Sequence, residues 1–410
     1  MPTPGAIRTG IATAVTTLLC LTATPTAAFA DTRPGPISFL SSRDRIATAY
    51  QINANHDGNA GAAVVAPPLR RHWSRDLGGS VSYPIIAEQR VFVTARQGDE
   101  YGTTLYALDA ATGANAWPPV KLGGTYWYGG LTYGAGRLFA LNFDGRLTAF
   151  SAATGAPLWT RELGNAYQYD FASMPTYRNG IVYFSSSGVG GTLYAINAYT
   201  GYGWARPVAN GQDSSPAVTD TAVFASYGCP RVYRFEVGTG TQQWEYNSTC
   251  TGGGGLTPVL ADGAVWVRDV FSTAPTVLNQ SDGEVRALFG ARFERANPPA
   301  FLGRTGFFVT GTAMQARPTT SPLQALWTFT GDGGLLNAPI IAGGYVYVGS
   351  ETGMLWAVDP ATGRAVWSTQ VGAPIYPPNE RGGGSPRTGM GAGQGRLIVP
   401  AANLLVSYGG

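Results

Sequence analysis

One sequence unit recurs five times along the chain, and this repeat restricts the possible folds more than any other feature. Each copy contains an alternating apolar stretch, a polar residue, a Thr-Gly pair and, a few residues later, a tryptophan. Such a period, about forty residues, indicates a repeat architecture in which stacked copies share a continuous core. The copies are LYALDAATGANAW at 105–117, LTAFSAATGAPLW at 147–159, LYAINAYTGYGW at 193–204, VYRFEVGTGTQQW at 232–244 and LWAVDPATGRAVW at 355–367.

Each part of the unit has a physical reason. The alternating apolar residues suit a β-strand that packs on both faces between neighbouring sheets. A short polar side chain then bonds to the backbone two residues on, and the glycine supplies the positive φ that a tight turn requires. The tryptophan falls on the returning outer strand, where its ring can be buried against the next copy. The turn residues are Asp109, Ser151, Asn197 and Asp359, and the glycines are Gly113, Gly155, Gly201, Gly240 and Gly363.

The tryptophans set the number of copies. They lie about forty residues apart, which leaves room for about four short strands per copy, the content of one propeller blade. One position has an aromatic substitute, and with it the ladder has eight rungs, which predicts eight blades. The rungs are Trp73, Trp117, Trp159, Trp204, Trp244, then Phe289 as the substitute, Trp327 and Trp367.

The two ends of the repeat region predict how the ring closes. Trp73 precedes any full copy, and further apolar strand segments follow the last one. The simplest arrangement builds the eighth blade from inner strands within 371–410 and an outer strand at about 70–77, because this leaves no open sheet edge. We therefore expect an all-β fold, an eight-bladed β-propeller of four-stranded antiparallel blades at 70–410, after an N-terminal extension at 31–69.

The first thirty residues are typical of a secretory signal peptide (1–30). Arg8 gives a positive start, residues 11–21 form a short apolar stretch, and Ala28-Phe29-Ala30 offers the small residues that signal peptidase requires. The alternative is a lipoprotein signal at Cys20, but Leu19 stands where a small residue is expected. The pattern predicts a secreted, extracellular protein without a lipid anchor.

Two cysteines, Cys229 and Cys250, remain once the signal is removed. Two cysteines in an exported chain most often pair, because the compartment is oxidising. The predicted connections place both on one face of the propeller, one blade apart, which a disulfide can span. Two free thiols are the alternative.

Charge and hydropathy exclude several classes of function. The 27 Lys and Arg residues nearly balance 24 Asp and Glu, and no basic block is present. This argues against a protein that binds the phosphate backbone of a nucleic acid. No apolar run as long as about eighteen residues follows the first thirty, so we expect no membrane-spanning helix. We expect the protein to be a monomer.

The pattern Ala-x-Asp-x-x-Thr-Gly-x-x-x-Trp, complete at 105–117 and 355–367, resembles the repeat of the PQQ-like (pyrroloquinoline-quinone-like) β-propeller family. The resemblance covers about 70–410. Eight-bladed members of that family include the quinoprotein alcohol dehydrogenases and the outer-membrane assembly lipoprotein of the Bam complex. The resemblance therefore implies the same eight-bladed fold, whereas the repeat itself is a packing device and implies no activity.

The resemblance also raises the question of a cofactor. The quinoprotein dehydrogenases of this family use a vicinal disulfide, a calcium ion held by carboxylate and amide ligands, and a catalytic aspartate. This chain has no adjacent cysteines, no haem-type Cys-x-x-Cys-His, and no acidic set that maps onto those calcium ligands. We therefore expect neither PQQ nor another cofactor. A Bam-type role would require the lipid anchor that Leu19 disfavours at Cys20.

A ligand site is expected on one face of the propeller. The connections between blades and the turns between the two middle strands share this side of the central channel, which we call the mouth face. The Thr-Gly turns lie on the opposite side, the turn face. Aromatic rings interleaved with carboxylates and guanidinium groups suit flat, hydroxyl-rich or peptide ligands. The candidate binding residues on the mouth face are Tyr83, Tyr126, Trp127, Tyr128, Tyr167, Tyr169, Asp170, Arg268, Asp269 and Tyr376.

Three features leave alternatives open at this stage. The mouth-face rings could instead plug the channel or pack between the inner strands. His56, next to Asp57, could act as a general base or tie the N-terminal extension to the propeller. The glycine-rich stretch 377–389 could cover a ligand or form a surface loop.

Three functions fit these features, in decreasing order of support. The first is a secreted binding or scaffold protein that holds a glycan, a peptide or a protein at an aromatic-lined channel mouth. The second is an extracellular glycan-active enzyme such as a uronate lyase, with Arg268 as the acid-neutralising group and Tyr167, Tyr169 or His56 as the base. The third is a PQQ-dependent dehydrogenase. We predict binding rather than catalysis.

Overall fold

The computed structural model describes residues 46–61, 65–164, 168–188, 190–209, 213–228, 231–248, 255–268, 275–290, 297–380 and 384–410. Strands in these segments form eight antiparallel sheets arranged as a ring. The predicted all-β, eight-bladed propeller is therefore confirmed. Among the described segments, none forms a helix of the length and hydropathy that a membrane span requires.

The ring begins with β1 (Arg70–Asp76), which belongs to blade 8. The strands of the next four blades follow in chain order. Blade 1 comprises β2 (Ile85–Ala87), β3 (Arg90–Arg96), β4 (Thr103–Asp109) and β5 (Asn115–Gly123). Blade 2 comprises β6 (Gly129–Gly134), β7 (Arg137–Asn142), β8 (Arg146–Ser151) and β9 (Pro157–Glu162). Blade 3 comprises β10 (Gln168–Asp170), β11 (Thr176–Arg178), β12 (Ile181–Gly188), β13 (Thr192–Asn197) and β14 (Gly203–Pro207). Blade 4 comprises β15 (Ala217–Val218), β16 (Ala222–Tyr227), β17 (Arg231–Glu236) and β18 (Gln242–Asn247).

The remaining blades repeat the same order from inner to outer strand. Blade 5 comprises β19 (Val259–Ala261), β20 (Ala264–Val267), β21 (Thr276–Asn279) and β22 (Val285–Leu288). Blade 6 comprises β23 (Ala300–Leu302), β24 (Thr305–Thr310), β25 (Ala313–Pro318) and β26 (Trp327–Phe329). Blade 7 comprises β27 (Ile340–Ala342), β28 (Tyr345–Gly349), β29 (Met354–Val358) and β30 (Ala365–Gln370). Blade 8 comprises β31 (Gly391–Gly393), β32 (Arg396–Ala401), β33 (Leu404–Gly409) and β1.

Blade 8 joins the two ends of the ring. Its strand order is β31-β32-β33-β1, so the outer strand comes from the start of the ring and the inner strands from its end. Trp73 in β1 lies opposite Ser407 in β33. This is the predicted closure, and it leaves neither terminal strand of the ring unpaired.

Neighbouring blades meet where the ladder tryptophan of one blade contacts the Thr-Gly turn of the next. Trp73 of blade 8 is buried, and its indole Nε1 donates a hydrogen bond to the Ala110 carbonyl of blade 1 at 3.1 Å. Gly113 has a φ of +72°, and a Cβ added there would lie 2.7 Å from the Trp73 ring. The glycine is therefore needed both for the turn and for the ring. The same indole-to-carbonyl bond is made by Trp117, Trp159, Trp204, Trp244 and Trp327.

An arginine two residues after the tryptophan adds a second bond across several seams. Arg75 donates a hydrogen bond to the Gly113 carbonyl at 2.6 Å. The guanidinium of one blade thus fixes a turn carbonyl of the next blade. Arg161 and Arg206 make the equivalent bonds to the carbonyls of Gly201 and Gly240, both at 2.9 Å.

The seam between blades 5 and 6 departs from this pattern. The register places Ala287 opposite Val277, the position that the tryptophan holds in other blades. Phe289 lies two residues further on, so the prediction that it occupies the rung itself is corrected. Its ring is buried and lies 5.2 Å from Trp266 and 5.7 Å from Phe308, centroid to centroid. An aromatic cluster therefore fills the seam where the ladder residue is small.

Candidate functional site

The turn-face end of the central channel is filled by residues 46–61 of the N-terminal extension. The carbonyls of this segment accept hydrogen bonds of 2.7 to 2.9 Å from the backbone amides of inner strands and the residues beside them. Each bond satisfies a polar group that would otherwise face the channel without a partner. The donors come from six blades and are Ile86, Tyr133, Val218, Leu260, Phe301 and Ile341.

The mouth-face end of the channel is filled by the connection from blade 7 to blade 8. Arg268 lies 2.9 Å from Glu380, and Arg387 lies 2.9 Å from Asp213, so that two ion pairs stand in the channel. The four side chains are at most 5% exposed. The connection contributes both Glu380 and Arg387, which differs from a ligand cover or a surface loop. Residues 381–383 of it lie outside the described residues.

The two fillings meet at Tyr50. Its hydroxyl donates a hydrogen bond to Glu380 Oε1 at 2.9 Å, and the Thr257 amide donates to Oε2 at 3.0 Å. Burial, together with the Glu380 charge, raises the pKa of the Tyr50 hydroxyl well above its usual value, so it remains a donor. Removing one member of such a pair leaves a buried charge without its partner, which is strongly destabilising. The axis is a closed polar core.

His56 lies in the same core and ties three elements together. Its Nδ1 lies 2.8 Å from the Tyr50 carbonyl, and its Nε2 lies 3.0 Å from the Pro216 carbonyl and 3.2 Å from Thr176 Oγ1. Burial lowers the pKa of the imidazole, which favours the neutral form. Because both ring nitrogens are engaged and no solvent reaches them, the geometry supports the structural tie rather than the general base.

Three of the predicted mouth residues are buried instead of facing a ligand. The Tyr83 hydroxyl donates to the Leu131 carbonyl at 2.6 Å and accepts from the Leu131 amide at 2.9 Å. Tyr128 is fully buried, with its ring centroid 5.8 Å from the Arg387 guanidinium carbon. Arg268 is the partner of Glu380. For Tyr83 and Tyr128 this burial agrees with the alternative in which the rings plug the channel or pack between the inner strands.

Other predicted residues cannot be placed in a site. Asp170 lies in β10 opposite Ser187. Several predicted residues lie outside the described residues: Tyr167, Cys229, Cys250, Asp269 and the side chain of Tyr169. The Cys229–Cys250 disulfide and the two tyrosines named as candidate lyase bases therefore stay predictions.

Three rings form an exposed group on the mouth face, which we call the rim cluster (Tyr101, Tyr126 and Trp127). Tyr101 comes from the turn between β3 and β4, and the other two come from the connection between blades 1 and 2. Tyr101 is 64% exposed and Tyr126 is 46% exposed. Their ring centroids lie 6.1 Å apart, and that of Tyr101 lies 4.9 Å from Trp127.

Neighbouring side chains hold the rim cluster in place. Trp127 Nε1 donates to the Glu100 carbonyl at 2.7 Å, and the Arg96 guanidinium stacks 4.0 Å from the Trp127 ring centroid. Tyr126 rests on the buried Phe143, 4.5 Å away. The rings are therefore fixed by contacts within the protein while one side of the cluster stays open to solvent. Ordered aromatic rings give contact area at a low entropy cost.

Tyr376 lines a separate small cavity on the mouth face, between blades 8 and 1. The cavity has a volume of about 250 Å³ and is also lined by Ser80, Asn379 and Thr388. Tyr376 is itself 48% exposed. Of the predicted binding residues, Tyr126 and Tyr376 are thus the clearly exposed ones within the described part of the chain.

Comparison with known proteins settles the family. A sequence family described as "Outer membrane protein assembly factor BamB" matches residues 38–119, 120–202, 143–369 and 296–401. The chain belongs to this family. No curated protein sequence matches the chain at a significant level.

Solved structures show how far the fold of this BamB-type propeller is shared. The crystal structure of BamB from Moraxella catarrhalis is 15% identical with a TM-score of 0.60, covering 84% of this chain and 98% of that one. Quinohemoprotein alcohol dehydrogenase from Comamonas testosteroni is 13% identical with a TM-score of 0.67, covering 90% and 81%. A europium-containing methanol dehydrogenase is 14% identical with a TM-score of 0.62, covering 82% and 87%. At these identities the likeness concerns the fold alone.

The described carboxylates on the axis of this BamB-type propeller do not fit a metal ion. Two buried carboxylates there, Asp213 and Glu380, are each paired with an arginine. A metal would have to compete with those guanidinium groups for the same oxygens. Within the described segments, no three His, Cys, Asp or Glu side chains gather where they could hold a metal ion.

Tyr101 is the member of the rim cluster that the sequence patterns did not reveal. It belongs to the same turn as Arg96 and Glu100, which contact Trp127. This contact joins the turn between β3 and β4 to the connection between blades 1 and 2. The β4–β5 hairpin separates these two loops in the sequence, so no local spacing predicts the contact. An exposed tyrosine next to Gly102, in a loop that faces other aromatic residues, is the only available signal.

Proposed function

We propose that this protein is a secreted scaffold that binds a protein partner through the rim cluster on blades 1 and 2. The observation that carries the proposal is the contrast between a filled channel and an exposed, ordered group of rings at its edge. Secretion is supported by the signal pattern of residues 1–30, and partner binding is consistent with the BamB family.

The chemistry of the rim cluster favours a protein surface as the ligand. Tyrosine, tryptophan and arginine are the residues enriched at the energetic centres of protein interfaces. Here Tyr101, Tyr126 and Trp127 stand beside Arg96, with the Lys121–Glu100 ion pair at 3.0 Å on the rim. A ring group bordered by opposite charges resembles an apolar interface centre with a polar border.

The alternative of a lyase has less support from the geometry. Its candidate base His56 is enclosed in the core, and its candidate cation Arg268 is neutralised by Glu380. A uronate carboxylate would have to displace that buried pair before it could reach either group.

The proposal is tested by placing a photoreactive phenylalanine analogue at Tyr126 in the secreted full-length chain. We expect a discrete crosslinked partner from the producing cells. Tyr202 is a matched control, because it is a 64% exposed tyrosine on the Thr-Gly turn of blade 3, on the opposite face. The same partner crosslinking equally from Tyr202, or no product from Tyr126, would overturn the proposal.

A second arm measures the contribution of the rings. The purified partner identified in the first arm should bind the Tyr101→Ala, Trp127→Ala double variant at least about tenfold more weakly, because interface aromatic residues commonly contribute more than 1 kcal/mol each. The Tyr199→Ala, Tyr202→Ala variant should bind as the unaltered protein does. Binding of a glycan panel by the rim cluster with no protein product would assign the surface to glycans instead.

A further inference from the structure

A polar cavity opens on the turn face, where the N-terminal segment passes blades 4, 5 and 6. Its volume is about 330 Å³, at the lower end of the range for small-molecule sites. It lies on the opposite face from the rim cluster and does not depend on the function proposed for that cluster. The polar side chains that line it are Asn55, Asp57, Asn59, Thr219, Asp262 and Gln280.

The backbone beneath these side chains is rigidly held. The Asn55 carbonyl accepts a hydrogen bond from the Leu260 amide, and the Asp57 carbonyl accepts one from the Phe301 amide, both at 2.9 Å. Gly58 packs so closely that an added Cβ would lie 2.8 Å from the Ala300 side chain. Alternate residues are buried against the blades, which leaves the intervening Asn and Asp side chains half-buried beside the cavity.

Two carboxylates line the cavity, and their surroundings differ. Asp262 lies 3.5 Å from Arg286 and 3.7 Å from Arg304, so its charge is compensated within the protein. Asp57 accepts hydrogen bonds on Oδ1 from the Asn53 side chain at 2.7 Å and from the Asn59 amide at 2.9 Å. The Asn55 side chain also donates a hydrogen bond to Asp57, and none of the ion pairs among the described residues includes this carboxylate.

A half-buried carboxylate without an ion-pair partner is costly, and this cost is expressed in the pKa of Asp57. Burial raises the pKa of this carboxyl above its usual value. A cation delivered by a ligand would remove the cost by pairing with the carboxylate. Among the described residues, the cavity thus contains a carboxylate without an ion-pair partner beside the amide side chains of Asn55 and Gln280.

We propose that this cavity binds a small primary amine that also carries hydroxyl groups, of the size of an amino sugar. The ammonium group pairs with the Asp57 carboxylate. The hydroxyl groups bond to the side-chain oxygens of Asn55 and Gln280. A charge-assisted bond fixes the amine, and the amides select for a hydroxylated ring.

The groups around Asp57 favour an amine over a metal ion. The Asn53 and Asn59 N–H donors already occupy Oδ1, so this carboxylate keeps few lone pairs for a cation. Calcium requires six to eight oxygen ligands, many of them carboxylates or carbonyls. An ammonium group needs only a few acceptors.

The test is calorimetric titration of the full chain near neutral pH with D-glucosamine, and with D-glucose as the matched neutral sugar. We expect saturable glucosamine binding with a dissociation constant on the order of millimolar, and glucose binding at least about tenfold weaker. Asp57→Asn preserves the size of the side chain and should weaken glucosamine at least about tenfold. Failure of glucosamine to bind the unaltered protein would overturn the proposal.

Two controls keep the result interpretable. Asp262→Asn removes a carboxylate whose charge is already compensated, so it should weaken glucosamine less than Asp57→Asn does, and a larger loss would overturn the placement of the ammonium group. Gln280→Ala, which removes a side-chain amide from the lining, gives a second readout if Asp57→Asn fails to fold, and it should weaken glucosamine severalfold. Displacement of glucosamine by calcium chloride at constant ionic strength would assign the cavity to a metal instead.

Discussion

The seam between blades 8 and 1 and the seam between blades 5 and 6 solve the same packing problem differently. At the first, the Trp73 ring lies on Gly113 and its indole bonds to Ala110. At the second, the tryptophan position holds Ala287 and the facing Thr-Gly turn is missing from the sequence. A group of rings around Phe289 fills the space.

The comparison teaches that tryptophan and glycine act as one unit across a seam. A ring as large as indole needs a turn without a Cβ, and where the ring is absent the glycine on the facing blade is absent too. The irregular seam relies instead on several rings of moderate size, which adapt to one another more easily than a ring fitted against backbone. The regular seams should therefore be more sensitive to substitution.

The largest expected effect comes from deleting the ring. Trp73→Ala should lower the free energy of unfolding by about 3 to 5 kcal/mol, because a buried indole and its hydrogen bond are both lost. Phe289→Leu, a conservative change in the irregular seam, should cost less than about 1.5 kcal/mol. Urea denaturation followed by circular dichroism measures both. Equal losses would remove the distinction between the seams.

A methyl group added to the turn should have the next largest effect. Gly113→Ala places a Cβ 2.7 Å from the Trp73 ring at a φ of +72°, so crowding adds to backbone strain, with a loss of about 2 to 4 kcal/mol. The matched control is Gly303→Ala in blade 6, with a φ of +57° and open space around it. Backbone strain alone should cost that variant about 1 kcal/mol. Thermal denaturation of the two proteins side by side tests the difference.

The arginine across the regular seam should contribute less. Arg75→Ala removes the 2.6 Å bond to the Gly113 carbonyl, and a loss of about 1 kcal/mol is expected. Arg75→Met retains the aliphatic part of the side chain, so the difference between the two variants separates packing from hydrogen bonding. If both variants unfold at the same urea concentration as the unaltered protein, the bond contributes nothing to the seam.

The smallest expected effect is a pH dependence of the unfolding free energy that arises from His56. This residue bridges blades 3 and 4 on the channel side of a regular seam. Burial lowers the pKa of His56 in the folded state. The contribution of His56 to the free energy of unfolding is therefore complete above the unfolded pKa of about 6.5 and decreases as the pH falls below it. His56→Gln should flatten the profile of unfolding free energy between roughly pH 6.5 and 5. His72 is exposed on β1, and His72→Gln should keep most of the slope.

The fold could be predicted from the sequence because its repeat contains both members of each contact. The Thr-Gly turn and the tryptophan recur together, so their count yields eight blades and the spare rung at Trp73 yields the closure. The prediction was wrong at Phe289, because an aromatic residue near the expected position was assigned to the tryptophan position of the repeat. Register, which depends on pairing with β21, places Ala287 there. The Trp-x-Arg spacing of Trp73 and Arg75 can be read from the sequence, whereas the bond of Arg75 to the Gly113 carbonyl cannot.

The candidate site was harder to predict, because burial in a ring depends on distant segments. Tyr83 and Tyr126 occupy similar connections in the sequence, yet the first is enclosed and the second is exposed. The difference arises from Glu380, Arg387 and the N-terminal segment, which fill the channel from far along the chain. Nothing in the local sequence around a tyrosine reports whether another segment will cover it.

The pairing of β1 with β33 has a consequence for the order in which the protein is made. Synthesis delivers the N-terminus first, yet β1 finds its hydrogen-bonding partner only in the last strand of the chain. The segment at 46–61 likewise bonds to blades as late as the seventh. The first residues to be synthesised are thus among the last to reach their final contacts. A chain truncated before β33 would leave β1 without its partner strand and able to pair with a neighbouring molecule.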